Sequence, residues 1–132
     1  MKYVYPALFT PLDNGEYDVR IPDLPGCGTC GKGLAEAIYM AQDAAAMWLW
    51  DAENKKEKIP ASSKELSVTG GQFVNWVAAD TEEYRRRHDR RAVRRNITLP
   101  AWLDEAASYA GVNVSSIAQN ALKTELNLQT PY

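Results

Sequence analysis

The 132-residue chain is short of the residues that build covalent or metal-held frameworks: one histidine, His88, and two cysteines, Cys27 and Cys30. Two cysteines cannot form the disulfide lattice of a small secreted fold. With one histidine besides, four ligands for a structural zinc cannot be gathered from these residue types alone. Nowhere does an apolar run approach the length that spans a bilayer. Pro6, Pro11 and Asp13 interrupt any apolar core near the start, so no secretory leader is expected and the expected compartment is the cytoplasm. No internal repeat is visible.

Cys27-Gly28-Thr29-Cys30 has the spacing of a redox pair. Such pairs usually open a helix after a strand, whereas this one follows a Pro-Gly turn. The expectation is therefore two small strand residues, with no metal and no cofactor.

What is present is an ordinary soluble composition, 45% hydrophobic and 24% charged, with an uneven charge distribution. Residues 1–80 hold seven basic side chains against eleven acidic ones. Residues 84–99 hold seven arginines against one aspartate. The formal net charge of −2 hides this contrast. One part of the chain suits a polyanion and the other a basic partner.

In chain order, residues 1–12 read as a strand, with Pro6 at an edge or an irregularity. Asp13-Asn14-Gly15 is a hairpin signal, because Asn-Gly readily takes positive φ. Residues 16–21 alternate polar and apolar and read as the paired strand. Residues 27–32 suggest a third strand. Gly33 opens a helix to about Glu53, with Leu34, Ile38, Ala41, Ala45 and Trp48 as its inward stripe, and Tyr39 and Trp50 off that stripe. Residues 54–71 read as a solvated loop, and residues 72–79 as a fourth strand. That order implies an α+β layer, one helix on a small sheet. Thr81 is placed to cap a connector helix running into the arginine tract. That tract reads equally as a solvated helix or as a phosphate-attracting surface.

Residues 93–126 change character. Arg94, Asn96 and Thr98 alternate with Val93, Arg95, Ile97 and Leu99, so a strand there would carry hydrogen-bonding groups on one face and mostly apolar groups on the other. Pro100 suits the first turn of a helix, Gly111 its end, and Asn113 the cap of a second helix. One strand and two short helices are too small to hold a core, so a second chain is expected. Two copies of the strand would form an antiparallel ribbon that fits the major groove of DNA.

Residues 94–122, RRNITLPAWLDEAASYAGVNVSSIAQNAL, resemble the ribbon-helix-helix DNA-binding domains of bacterial repressors. Residues 5–45, YPALFTPLDNGEYDVRIPDLPGCGTCGKGLAEAIYMAQDAA, resemble the N-terminal domain of HicB antitoxins, through the hairpin, IPDLPGC and the Ala-rich helix. The two occur in the order found in one HicB subgroup and together cover nearly the whole chain. The resemblance implies three segments. Residues 1–80 would be a partial RNase H-like βββαβ domain that binds and blocks a HicA-like mRNA-cleaving toxin. Residues 81–91 would be a basic connector helix. Residues 92–132 would dimerise and bind operator DNA, with higher assemblies open if the front domains also pair.

Carried across position by position, the resemblance puts Arg94, Asn96 and Thr98 against base edges. It puts the helix start at Asn113, Val114 and Ser115 against a phosphate. Ile97, Leu99, Leu103, Ile117 and Leu122 would form the dimer core. Arg95 departs from the pattern, which has an apolar residue there. Either the ribbon end is frayed, or Arg95 reaches past the sheet to a phosphate. Tyr39 and Trp50 are the toxin-contact candidates.

RNase H-like folds include nucleases, which need carboxylates converging on metal ions. Asp13, Asp18, Asp23, Glu36 and Asp43 do not announce such a cluster, and a binding role rather than catalysis is expected. The rival reading is a stand-alone repressor whose front domain senses a ligand or oligomerises.

Overall fold

The computed structural model describes residues 1–128. They form two compact units that divide after Asp89. The first contains β1 (Lys2–Pro11), β2 (Tyr17–Arg20), β3 (Gly28–Gly31), α1 (Leu34–Asn54), β4 (Phe73–Asp80) and α2 (Thr81–His88). Its sheet has the order β3-β2-β1-β4, with every neighbouring pair antiparallel. It is an α+β layer, as expected.

The β1–β2 hairpin closes through Leu12 N–H, which donates to the Glu16 carbonyl at 2.8 Å, with Gly15 at φ +83°. Only glycine takes that conformation without cost. Pro6 is fully buried within β1 although β1 lies between two strands. Two facts resolve this. The Thr81 amide donates to the Met1 carbonyl, so Met1, Tyr3, Tyr5 and Ala7 hold the bonded positions towards β4, and Pro6 points the other way. On that other side β2 pairs only as far as Leu8↔Arg20. The ladder has ended before it reaches Pro6, and the missing N–H costs nothing.

Between β2 and β3 the chain folds back on itself. Ile21 N–H donates to Cys27 O and Leu24 N–H to Ile21 O, and Gly26 takes φ +77°. Ile21, Leu24 and Cys27 are thereby turned into the core. Cys30 lies three residues on, inside β3, and is exposed. Neighbouring strand side chains alternate faces, so the two thiols do not share a surface.

The buried face of α1 keeps Ala41 and Ala45 of the expected stripe and departs from it elsewhere. Ala37, Ala41, Ala45, Leu49 and Ala52 are buried, Ile38 and Trp48 flank them, and Leu34 is exposed. The reason is close approach. A Cβ on Gly31 would lie 2.4 Å from the Ala37 nitrogen, so the helix sits against β3 where only small side chains fit. Phe9, Val19, Val77 and Leu49 fill the remaining space. Full burial of a side chain such as Leu49 contributes roughly 1.5–3 kcal/mol.

The segment between α1 and β4 has no helix or strand but is not simply solvated. The Tyr5 hydroxyl donates to the Pro60 carbonyl at 2.6 Å, and the Asp23 carboxylate accepts from the Ser63 amide and hydroxyl. α2 is capped by Asp80, whose carboxylate accepts from Glu82 and Glu83 N–H, and not by Thr81. Thr81 is buried, and its hydroxyl donates to Glu53 at 2.7 Å. The helix ends at His88, short of the expected Arg91.

The second unit contains α3 (Ala101–Ala110) and α4 (Val114–Glu125). Gly111 ends α3 in the left-handed conformation, φ 69°, and Val112 N–H reaches back to Ala107 O. Asn113 caps α4 by accepting from Ser116 N–H at 3.0 Å. The expected strand at 93–99 is not formed: residues 90–99 have neither helix nor strand. A ladder needs a second strand, and none occurs among the described residues of this unit. Neither α3 nor α4 has a single buried residue.

Candidate functional site

Two surfaces carry the chemistry, one on each unit. In the first, α1 is held at its C-terminal end by Glu53. That carboxylate accepts from the Tyr3 hydroxyl at 3.0 Å and from Thr81, and meets the Arg85 guanidinium at 3.4 Å. Burial, followed by the Glu53 carboxylate, pushes the Tyr3 phenol above its ordinary value. The node ties β1, α1 and α2 together and fixes the outward face of α1.

That face presents Tyr39, 72% exposed, together with Met40, Met47 and Asp43. Asp43 is in none of the ion pairs formed among the described residues. Its charge, after burial, raises the Tyr84 phenol, which places Asp43 near α2. Tyr39, Met40, Asp43, Glu83, Tyr84 and Arg87 line an open groove between α1 and α2. Trp50 stands about three turns along α1 from Tyr39, on the same side. It is half-buried and packs on Tyr84, with ring centroids 5.3 Å apart. Tyr39 is thus open to a partner, and Trp50 is largely committed to holding α2. Met40 and Met47 were not singled out from sequence, and Asp43 was weighed there only as a metal-binding carboxylate. Their signal was there in the helical spacing from Tyr39.

The arginine tract divides. Arg85 pairs with Glu82 and Glu53, and Arg87 pairs with Glu83. His88 stacks on Tyr84 at 4.1 Å. These charges are already answered within the first unit. Beyond Asp89, Arg90, Arg94 and Arg95 are exposed.

In the second unit Arg94, Asn96 and Thr98 are exposed, as are Val93, Arg95 and Ile97 on the alternate positions. Ile97, Ile117 and Leu122 are more than half exposed, Leu103 is exposed, and Leu99 is half-buried. At the start of α4, Asn113 occupies the Ser116 amide. The amides of Val114 and Ser115 then remain as the donors of the first turn.

The carboxylates weighed from sequence are dispersed. Asp23 serves Ser63, Asp18 meets Arg20, and Glu36 accepts from Lys32 N–H. Among the described residues, no three His, Cys, Asp or Glu side chains are grouped so as to hold a metal ion. No helix among them is long and apolar enough to cross a membrane.

Comparison with known proteins places the chain in a family. The chain is 34% identical over 61 residues to UPF0150 protein Ta0767 of Thermoplasma acidophilum, covering 46% of this chain and 88% of that protein. Its fold is similar to a chain of a toxin-antitoxin complex from Streptococcus pneumoniae, with TM-score 0.59 and 23% identity over 95% of this chain and 99% of that one. It is also similar to the Burkholderia pseudomallei antitoxin HicB, with TM-score 0.53 and 20% identity over 92% of this chain and 98% of that one. The model of the HicB-like antitoxins of bacterial toxin-antitoxin systems matches residues 5–121, across both units, and the chain belongs to that family.

Proposed function

We propose that this antitoxin neutralises a HicA-like mRNA-cleaving toxin with residues 1–80 and represses its own operon with residues 92–132. The first unit acts by covering the toxin's active site rather than by catalysis. The outward face of α1, with Tyr39 flanked by Met40, Met47 and Asp43, suits a small basic protein. Residues 81–91 link the two activities. Arg85 and Arg87 are paired within the first unit, and phosphate contact is assigned to Arg95, with the Asn113–Ser115 amides as a clamp.

The observation that carries the second activity is the lack of any buried residue in α3 and α4. Ile97, Leu99, Leu103, Ile117 and Leu122 become a core only against a second chain. Dimerisation pairs residues 93–99 of two copies into a ribbon. Its outer face then carries Arg94, Asn96 and Thr98 twice into a major groove. Arginine suits guanine O6 and N7, asparagine suits adenine N6 and N7, and threonine suits either role or a thymine methyl.

The test is co-purification with the product of the adjacent reading frame, followed by an operator shift. Asn96→Ala should weaken operator binding by roughly 30- to 25,000-fold, since two copies each lose a contact worth about 1–3 kcal/mol. The same variant should still bind and silence the toxin. An unchanged shift would mean that residues 94–98 do not read the groove.

A further inference from the structure

Five charged side chains line the groove between α1 and α2: Lys2, Asp43, Asp80, Glu83 and Arg87. Three of them are engaged within the fold. Arg87 pairs with Glu83, and Asp80 accepts from the first amides of α2. Lys2 and Asp43 enter none of the ion pairs among the described residues, so they are not paired with each other.

Helix geometry sets what surrounds Asp43. Tyr39 and Met47 stand one turn to either side of it, and Met40 lies three residues back. Helical side chains lean towards the N-terminus, so Asp43 covers the turn that Tyr39 begins. Tyr39 is 72%, Met47 53% and Met40 41% exposed. Across the groove, Tyr84 is fixed in place. Trp50 packs on its ring with centroids 5.3 Å apart, and His88 stacks on it at 4.1 Å. Its ring is thereby occupied, while the Asp43 charge reaches its phenol. The groove therefore offers one open aromatic face, a carboxylate beside it, and a hydroxyl held opposite.

We infer that this is a socket for a single arginine of the toxin, with the guanidinium plane lying on the Tyr39 ring and its fork on the Asp43 carboxylate. The inference deepens the toxin-binding reading and rests on it. Arginine is chosen over lysine by shape. A guanidinium is planar and weakly hydrated, stacks on a ring, and spans both oxygens of a carboxylate. An ammonium is a compact, strongly hydrated point charge and does neither. The Tyr84 hydroxyl can accept one more guanidinium N–H. Met40 and Met47 give the alkyl stem an apolar bed. Asp43 is exposed in the free antitoxin, where an ion pair contributes little. Docking removes the water, and the same pair then becomes selective.

The test measures the affinity of the full-length antitoxin for the product of the adjacent reading frame by calorimetry. Asp43→Asn should weaken binding roughly 30- to 5,000-fold, the range for truncating one partner of a buried charge pair. Tyr39→Ala should weaken it at least about tenfold, and Tyr39→Phe, which keeps the ring, less than about threefold. Glu65→Gln removes an exposed carboxylate elsewhere and should also change it less than about threefold, which separates the socket from net charge. The toxin's arginines are then replaced singly by alanine. One of them should lose what Asp43→Asn loses, and the two changes together should lose no more than either alone. Lysine at that toxin position should not restore binding. If wild type binds but Asp43→Asn binds as tightly, or no toxin arginine couples to Asp43, the socket is overturned and the toxin-binding reading stands. A lysine that restores full affinity overturns the choice of arginine. If wild type itself does not bind, the toxin-binding reading falls and the socket with it.

Discussion

The two units of this antitoxin spend their apolar residues in opposite ways. In the first, Phe9, Val19, Leu24, Leu49 and Val77 are fully enclosed by one sheet and one helix. In the second, α3 and α4 enclose nothing, and Ile117 and Leu122 stand in the open. Both have well-made local structure. α2 and α4 each have an Asx cap, and α3 ends in a left-handed glycine. The difference is tertiary. Short helices are marginal without a packed face, so local signals alone do not hold the second unit. The first unit is a finished object that presents surfaces. The second, in the proposed reading, is half of an object whose other half is another chain.

The sharpest way to break this contrast is to charge the open core. Leu122→Glu should abolish the helical signal of α3 and α4, because the glutamate would enter the only core those helices have. The near-UV signal of the first unit should persist. Circular dichroism decides: a variant that keeps all its helix would show that the second unit holds itself together, and the comparison would fail.

A smaller effect is expected from opening the first unit. Leu49→Ala should cost about 2–5 kcal/mol of its stability, since the residue is completely enclosed and the alanines around it cannot move in. The loss should appear in denaturant unfolding followed through the first-unit tryptophans. Toxin binding should weaken only where the unit has unfolded. A cost below about 1 kcal/mol would mean that the α1–sheet contact is looser than its burial indicates.

How much of this was readable in the sequence follows the same division. The hairpin at Asn14-Gly15, the Gly111 stop and the Asn113 cap were all legible, because each depends on one residue and its immediate neighbours. The buried face of α1 was legible in period and at its centre, where Ala41 and Ala45 are buried as expected. Leu34 outranks alanine in hydrophobicity, yet it is exposed and Ala37 is buried, because Gly31 brings the sheet so close. That approach is a property of the partner strand and leaves no mark within the helix sequence. The pairing of Arg85 with Glu53 was hidden for a similar reason, since it joins residues on two helices. The strand at 93–99 was read from alternation, which records which side chains belong together but supplies no partner strand, and residues 90–99 form none here. Tyr39 was found as a residue off the apolar stripe, and Trp50 was found the same way. Only the fold distinguishes them, by placing Tyr84 against one and leaving the other bare.

The smallest test compares the two caps directly. Asp80→Ala and Asn113→Ala each remove a side chain that accepts from the first-turn amides of the following helix. Each cap is worth about 1 kcal/mol in its own helix. The consequences should differ. α2 is also held by Trp50 against Tyr84 and by Glu53 against Arg85, so Asp80→Ala should lower the first-unit midpoint slightly and leave the fold intact. Among the described residues α4 has no contact of that kind, so in the proposed dimer the same loss falls on the association equilibrium. Asn113→Ala should weaken assembly about tenfold for each 1.4 kcal/mol lost over the two copies. It should weaken operator binding further, by disturbing the Val114 and Ser115 amides. Equal effects of the two substitutions on their units, measured by denaturant unfolding and light scattering, would mean that the second unit is supported from within after all.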